Sequence, residues 1–83
     1  MKGPPPRVSA PHAIASIREY TQIGVRVLCV EGFTVVPEGF RADFDLMFTA
    51  SAELALDEAA SETKAFIEKH ARPDVIWEVW ADD

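Results

Sequence analysis

Three side chains, Cys29, His12 and His70, are the strongest nucleophile and base candidates in the sequence. They fall in separate parts of the chain, without the spacing of a known catalytic set. Cys29 lies in an apolar run, where a free cysteine usually packs as a small hydrophobic residue. His70 falls in the last turn of a predicted helix, where an imidazole commonly caps carbonyl groups and is favoured by the helix dipole. We therefore predict no catalytic residue, and the sequence leans against an enzyme.

Two aspartates at alternate positions, Asp43 and Asp45, have the chemistry to hold a hard cation or to act as an acid/base pair. No histidine or ring of further oxygen donors accompanies them in the sequence, and Arg41 offers a simple charge partner. A solvated strand face is the plainer interpretation. The glycines are too dispersed to form a phosphate-binding loop. We therefore predict neither a metal site nor a nucleotide cofactor.

A β-hairpin is predicted from residue 25 to residue 49. Residues 25–30 are apolar except for Arg26 and rich in β-branched valine, and residues 40–48 alternate apolar and polar side chains almost throughout. Pro37 and Gly39 between them suit a type I turn closed by a G1 bulge, which pairs Val36 with Phe40. In that register Asp43 and Asp45 point away from the helix that is expected to cover the sheet. The side chains that point toward this helix are Phe40, Phe44, Leu46 and Phe48.

A long amphipathic helix is predicted at about 52–70, capped by Ser51 and stopped by Pro73. Its apolar side chains fall within one arc of about 140°. A shorter segment, about 10–21, reads as a helix between Ser9 and Gly24, with a strand as the rival interpretation. Residues 75–81 read as a last strand.

These elements predict a small two-layer α+β sandwich of order (α)-β-β-α-β, with a largely antiparallel sheet covered by the long helix. Residues 1–8 form a proline-rich leader that we expect to be flexible, and residues 9–83 form a single domain. The leader lacks the apolar run of a signal peptide, and no segment approaches the ~20 apolar residues of a membrane span. A single cysteine excludes an internal disulfide, so we expect a cytoplasmic protein.

Charge is distributed unevenly along the chain, whose net charge is −6. Residues 1–30 hold four basic side chains and one acidic one, whereas residues 31–83 hold four basic and thirteen acidic ones. Such a body disfavours direct nucleic-acid binding and favours a protein partner with a basic surface. The predicted partner-binding acidic residues lie on the second strand and the long helix: Asp43, Asp45, Glu53, Asp57, Glu58 and Glu62.

Apolar side chains are also expected on the sheet face away from the long helix. The alternation places an assembly patch there, made of Phe33, Val35, Met47, Ile76 and Trp80. A chain of this size does not usually leave such a patch in water. Two covers are open: the N-terminal helix, through Ile14, Ile17 and Tyr20, or a second protein chain, which would make the protein a homodimer.

The function predicted from these surfaces is a non-enzymatic acidic protein-interaction module. One subclass is an inhibitor, of the kind encoded by phages and other mobile elements, that mimics nucleic-acid charge and occupies a basic groove of its target. The alternative is a small-molecule-binding domain or minor enzyme. Its pocket would lie between the sheet and a second subunit, and would use Trp77 or Trp80 together with Tyr20 and His70.

Overall fold

The fold, seen in a computed structural model that describes residues 3–83, contains two helices and three strands. The strands form an antiparallel sheet of order β2-β1-β3. The predicted α+β sandwich and its order of elements are confirmed. In chain order the elements are α1 (Ala10–Gln22), β1 (Val27–Val36), β2 (Gly39–Thr49), α2 (Leu56–His70) and β3 (Val75–Ala81).

Both helices pack on the same face of the sheet. α1 contacts α2 and β3, while α2 also contacts β1 and β2. Ile17 of α1, Ile67 of α2 and Trp77 of β3 are fully buried in one core. The suggestion that the N-terminal helix covers the other sheet face is therefore wrong, because the apolar side of α1 packs into the same core as α2. Within the described chain, neither helix is long and apolar enough to span a membrane.

α1 ends at a Schellman motif, which settles the helix-or-strand alternative for this segment. Gly24 has φ +77°. Its N–H donates to the carbonyl of Thr21, and the N–H of Val25 donates to the carbonyl of Tyr20. This pair of bonds satisfies carbonyl groups that the helix end would leave open, and it needs the left-handed residue that glycine supplies.

α2 begins at Leu56, four residues later than predicted. Ser51 does not cap the helix; its hydroxyl accepts from the N–H of Glu53 within a separate turn. The residue before the helix is Ala55, whose N–H donates to the Glu58 carboxylate at 3.2 Å. The glutamate at the third position of the helix thus accepts a hydrogen bond from the free N–H group of the residue before it. The predicted buried arc is confirmed, with Ala59, Ala60, Thr63 and Ile67 buried.

The hairpin between β1 and β2 is tighter than predicted. Val36 pairs with Gly39, so the turn contains only Pro37 and Glu38. The positive φ expected at Gly39 is present, at +137°, but the pairing of Val36 with Phe40 is wrong by one residue. Val35 pairs with Phe40 instead.

A second irregularity interrupts β2 opposite Gly32. Glu31 pairs with Met47 and Phe33 pairs with Ala42, so residues 43–46 stand against Gly32 alone. Three more residues on one strand than on the other invert the alternation of side chains. Leu46 and Phe48 therefore reach the helix-covered core as predicted, whereas Phe40 and Phe44 do not and are exposed.

The leader runs beside β3, the strand at one edge of the sheet. Val8 exchanges two backbone hydrogen bonds with Trp77, of 2.8 and 2.7 Å, and its side chain packs against the core. Met1 and Lys2, the first residues of the predicted leader, lie outside the described residues. The flexibility predicted for the leader stays a prediction, and Val8 marks where the chain joins the fold.

Candidate functional site

The sheet face away from the helices, which we call the open face, is the main candidate surface. Strand pairing places Phe33 beside Ile76, Cys29 beside Trp80, Val35 beside Phe40, and Glu31 beside both Met47 and Glu78. Paired residues of neighbouring strands point to the same side of a sheet. All five residues of the predicted assembly patch thus share this face. Phe40 joins them there.

The open face is only partly shielded. Phe33 is buried, and Ile76 and Trp80 are half-buried. Along β2 and the end of β1, the face is accessible: Val35 is 46% exposed, Phe40 53% and Met47 41%. No helix of the described chain crosses this side of the sheet, so Val35, Phe40 and Met47 are in contact with solvent.

One charged side chain from the leader crosses the open face. The Arg7 guanidinium carbon lies 4.3 Å from the centre of the Phe33 ring and 4.9 Å from that of Phe40. Arg7 Nε also donates to Glu78 Oε2 at 3.0 Å. The Glu78 side chain is 8% exposed, whereas that of Arg7 is 39% exposed. A buried carboxylate and two aromatic rings thus hold one arginine.

Cys29 also lies on the open face, half-buried. Burial, and then the negative charge of Glu31, raise the pKa of the Cys29 thiol. A thiol with a raised pKa stays protonated at neutral pH and is a poor nucleophile. This environment favours the packing role that the sequence predicted for Cys29.

The predicted acidic residues fall into two separate groups. Asp57, Glu58 and Glu62 are exposed on the first two turns of α2, and Glu53 is exposed in the turn that precedes it. Asp43 and Asp45 lie on β2, near the opposite end of α2. The structure therefore offers an acidic helix end, defined here by Glu53, Asp57, Glu58 and Glu62, and a distinct pair of aspartates.

The aspartate pair lines a cleft of about 470 Å³ at the C-terminal end of α2. The prediction that the pair points away from the helix is wrong, because the irregularity in β2 turns it toward α2. The N–H of Asp45 donates to Asp43 Oδ1 at 2.9 Å, which folds the strand locally. The other residues that line the cleft are Leu46, Lys69, His70 and Arg72.

His70 occupies the rim of this cleft and packs on Phe66, with ring centres 4.4 Å apart. It does not meet the other residues of the predicted small-molecule pocket. Tyr20 and Trp80 line a separate cavity of about 390 Å³ beside the leader prolines. Trp77 is fully buried and lines neither. The residues predicted to form one small-molecule pocket therefore lie in two separate cavities of the monomer, with Trp77 in neither.

The remaining histidine, His12, stands near the start of α1 and is exposed. Its Nδ1 lies 2.9 Å from the Ser9 hydroxyl, a local contact at the helix start. Across residues 3–83, no three histidine, cysteine, aspartate or glutamate side chains converge as a set that could hold a metal ion.

Comparison with known proteins gives no family for this chain: no protein-family model matches it, and no curated protein or solved structure does so. Function is therefore argued from the surfaces themselves.

Two features of the open face were missed in the sequence. The sequence predicts Phe40 on the helix side, because the alternation of side chains reads as uninterrupted along β2. The signal for the interruption was the aspartate pair, since aspartate is depleted in strands and folds short turns with its own backbone. The sequence offers Arg7 only as part of a leader that is expected to be flexible. Its only signal was the apolar Val8 that follows it and ends the run of prolines.

Proposed function

We propose that the protein is a non-enzymatic interaction module that self-associates through the open face and presents the acidic helix end to a basic protein partner. The observation that carries this proposal is the location of both helices on one side of the sheet. It leaves Val35, Phe40 and Met47 at 41–53% exposure on the other side. Exposed apolar side chains that share one face of a small domain mark an interaction surface.

The size of the open face indicates how tight such an association would be. Strands spaced ~4.8 Å apart, rising ~3.3 Å per residue, give three strands a face of roughly 14 by 25 Å. That is on the order of 350 Å², against ~800 Å² per partner in a standard stable interface. The open face alone therefore supports a weak dimer, and rim contacts from the leader or from β2 would have to strengthen it.

The acidic helix end supports the second half of the proposal. Its four carboxylates are exposed, and Glu58 and Glu62 stand one turn apart, where like charges repel one another slightly. Closely spaced carboxylates of this kind attract a lysine- or arginine-rich surface and speed its encounter. A target whose basic groove normally binds nucleic acid would fit, and the protein would then act as an inhibitor.

Self-association is tested by sedimentation between 10 µM and 1 mM. We expect a dimer to appear within this range, and Met47→Lys to raise its dissociation constant tenfold or more by placing a charge in the apolar contact. Ile23→Lys is the matched control, because Ile23 is 73% exposed, lies off the sheet and adds the same charge. A monomer at 1 mM, or equal effects of the two variants, would contradict the assembly role.

Partner binding is tested by charge reversal that spares the helix start. Glu53→Lys with Glu62→Lys should slow association with the basic partner pulled down from the native host, because both residues lie in the acidic helix end. Asp45→Lys on β2 is the comparison, since Asp45 lies in the cleft beside Lys69 and Arg72. Unchanged association in the double variant would remove the acidic helix end from the proposal.

The small-molecule alternative rests on the cleft at the end of α2. Asp43 and Asp45 line it together with Lys69 and Arg72, and His70 adds an imidazole ring to the lining. A thermal-shift screen of metabolites separates the two functions. A ligand that stabilises the wild type but not His70→Gln would favour the cleft, and a screen without stabilisation would favour the interaction module.

A further inference from the structure

The side chains around Arg7 form a binding site for a guanidinium group. Two aromatic rings lie within 5 Å of the guanidinium carbon, and Glu78 accepts from Nε at 3.0 Å. The carboxylate is more than nine-tenths buried, with 8% of its side chain exposed. Aromatic faces attract cations, and a guanidinium stacks on them while still donating to a carboxylate.

The walls of this site belong to the sheet, whereas its occupant does not. Phe33 comes from β1, Phe40 from β2 and Glu78 from β3. Arg7 alone comes from the leader, which joins the edge of β3 through the two backbone bonds of Val8. The site is thus complete without the leader, and an arginine from elsewhere would meet the same three side chains.

The charge of the site exceeds what Arg7 supplies. Glu31 pairs with Glu78 across β1 and β3, so two carboxylates stand side by side on the open face. Like charges placed directly opposite in a sheet are unfavourable unless a cation lies near them. Among residues 3–83, the Arg7 guanidinium bonds to Glu78, and the neighbouring carboxylate of Glu31 adds to the attraction of the site for positive charge.

We propose that this site recognises an arginine side chain of the basic partner, and that Arg7 occupies it from within the same chain when the partner is absent. The inference rests on the proposed function and adds a second contact point, around Phe33 and Phe40, to the acidic helix end. Because Phe40 also belongs to the face proposed for self-association, the partner binds the monomer and competes with the weak dimer. Arg7 is suited to exchange because 39% of its side chain remains exposed. Lysine is a poorer occupant, since its compact ammonium lacks the planar group that can lie over the two rings.

The internal arginine competes with the incoming one. Arg7 is next to Val8, whose two backbone bonds hold it at the edge of β3, so its effective concentration at the site exceeds the millimolar range of a short flexible linker. A partner arginine must displace it, so removal of Arg7 should tighten partner binding by about tenfold or more. The leader would then act as an intrinsic brake on recognition.

The first experiment uses the full chain with Arg7→Ala and N-acetyl-arginine methylamide as the probe, followed by NMR. We expect saturable shifts at the Phe33 and Phe40 rings and at the Glu78 amide at millimolar probe, with a rise in melting temperature. In the wild type these shifts should be at least tenfold weaker at the same concentration. N-acetyl-lysine methylamide should bind more weakly, and Arg7→Ala with Glu78→Gln should lose the response.

Arg7→Ala leaves Glu78 buried without its partner, so Arg7→Gln serves as the second variant, because its amide keeps a donor for the carboxylate. If either variant folds and shows no saturable response up to 100 mM probe, the proposal is overturned. If neither variant folds, Arg7 is an obligatory part of the fold and the proposal is overturned as well.

Failure of this inference can be told apart from failure of the proposed function. Probe binding by Arg7→Ala, together with unchanged partner binding after charge reversal at Glu53 and Glu62, would keep the arginine site and remove the acidic helix end. Loss of partner binding after that reversal, with no probe binding, would do the opposite.

Discussion

Gly32 is the residue on which the packing of the sheet depends most directly. A Cβ atom at this position would stand 2.8 Å from the Leu46 Cβ and 3.0 to 3.2 Å from the Trp77 ring. Trp77 is fully buried, and Leu46 sits in the irregular part of β2, so neither can move aside freely. The missing side chain of Gly32 lets the bulged strand and the tryptophan close over β1.

Gly32→Ala should therefore destabilise the fold by about 1–3 kcal/mol, the usual range for overpacking a core. Urea denaturation followed by tryptophan fluorescence measures the effect. Gly3→Ala is the control, because a Cβ there meets nothing within 4 Å. Equal midpoints for the two variants would show that the close approach at Gly32 is relieved without cost.

Cys29 provides a prediction about pH. Its thiol pKa is raised by burial and by the charge of Glu31, so the thiolate is scarce at neutral pH. Alkylation by iodoacetamide should be slow at pH 7 and should accelerate only above the ordinary thiol range. Glu31→Gln should speed the reaction at pH 8 by lowering the pKa. A rate at pH 7 equal to that of the unfolded chain would contradict this.

At the scale of elements, the hairpin turn depends on Gly39. Its φ of +137° lies where side chains are rarely tolerated. Gly39→Ala should cost about 1 kcal/mol or more in the free energy of unfolding, whereas Glu38→Ala in the same turn should change it little. Thermal unfolding of both variants gives the comparison, and similar melting temperatures would argue against a strained turn.

The sequence predicted the elements well where one periodicity ran without interruption. The arc of α2 and the strand β3 follow directly from the spacing of apolar residues. The irregularity at residues 43–46 was not predicted, because the alternation of side chains in β2 reads as continuous until the pairing with β1 is known. The start of α2 was predicted wrongly because Ser51 resembles an N-cap residue. The group that caps the helix is instead the carboxylate of Glu58, which lies inside the helix.

The candidate site was predictable only in part. Strand parity alone placed Phe33, Ile76 and Trp80 on one face, because β1 and β3 pair regularly across these positions. The placement of Arg7 over that face depends on the backbone pairing of Val8 with Trp77. Residues 69 apart in the sequence are brought together there, and no local pattern reports such a contact.

At the scale of the whole molecule, net charge sets opposite salt dependences for the two associations proposed. Two copies of a chain with net charge −6 repel one another, and salt screens that repulsion. Self-association should therefore strengthen from 20 to 300 mM NaCl. Binding to a basic partner should weaken over the same range, mainly through a slower association rate. Sedimentation measures self-association, and stopped-flow kinetics measure partner binding. Salt effects of the same sign on both would contradict the assignment of self-association to the open face and of partner binding to the acidic helix end.

The three surplus residues of β2 have a consequence for the colloidal behaviour of the protein. β2 is an edge of the sheet, and a straight edge strand is a template on which further chains can stack into fibrils. The kink at residues 43–46 breaks that template and places two carboxylates on it. Deletion of residues 43–45 would set Leu46 opposite Gly32 in unbroken register. We expect the shortened chain to fold and to form thioflavin-positive aggregates sooner than the wild type; an equal lag time would show that the kink gives no protection.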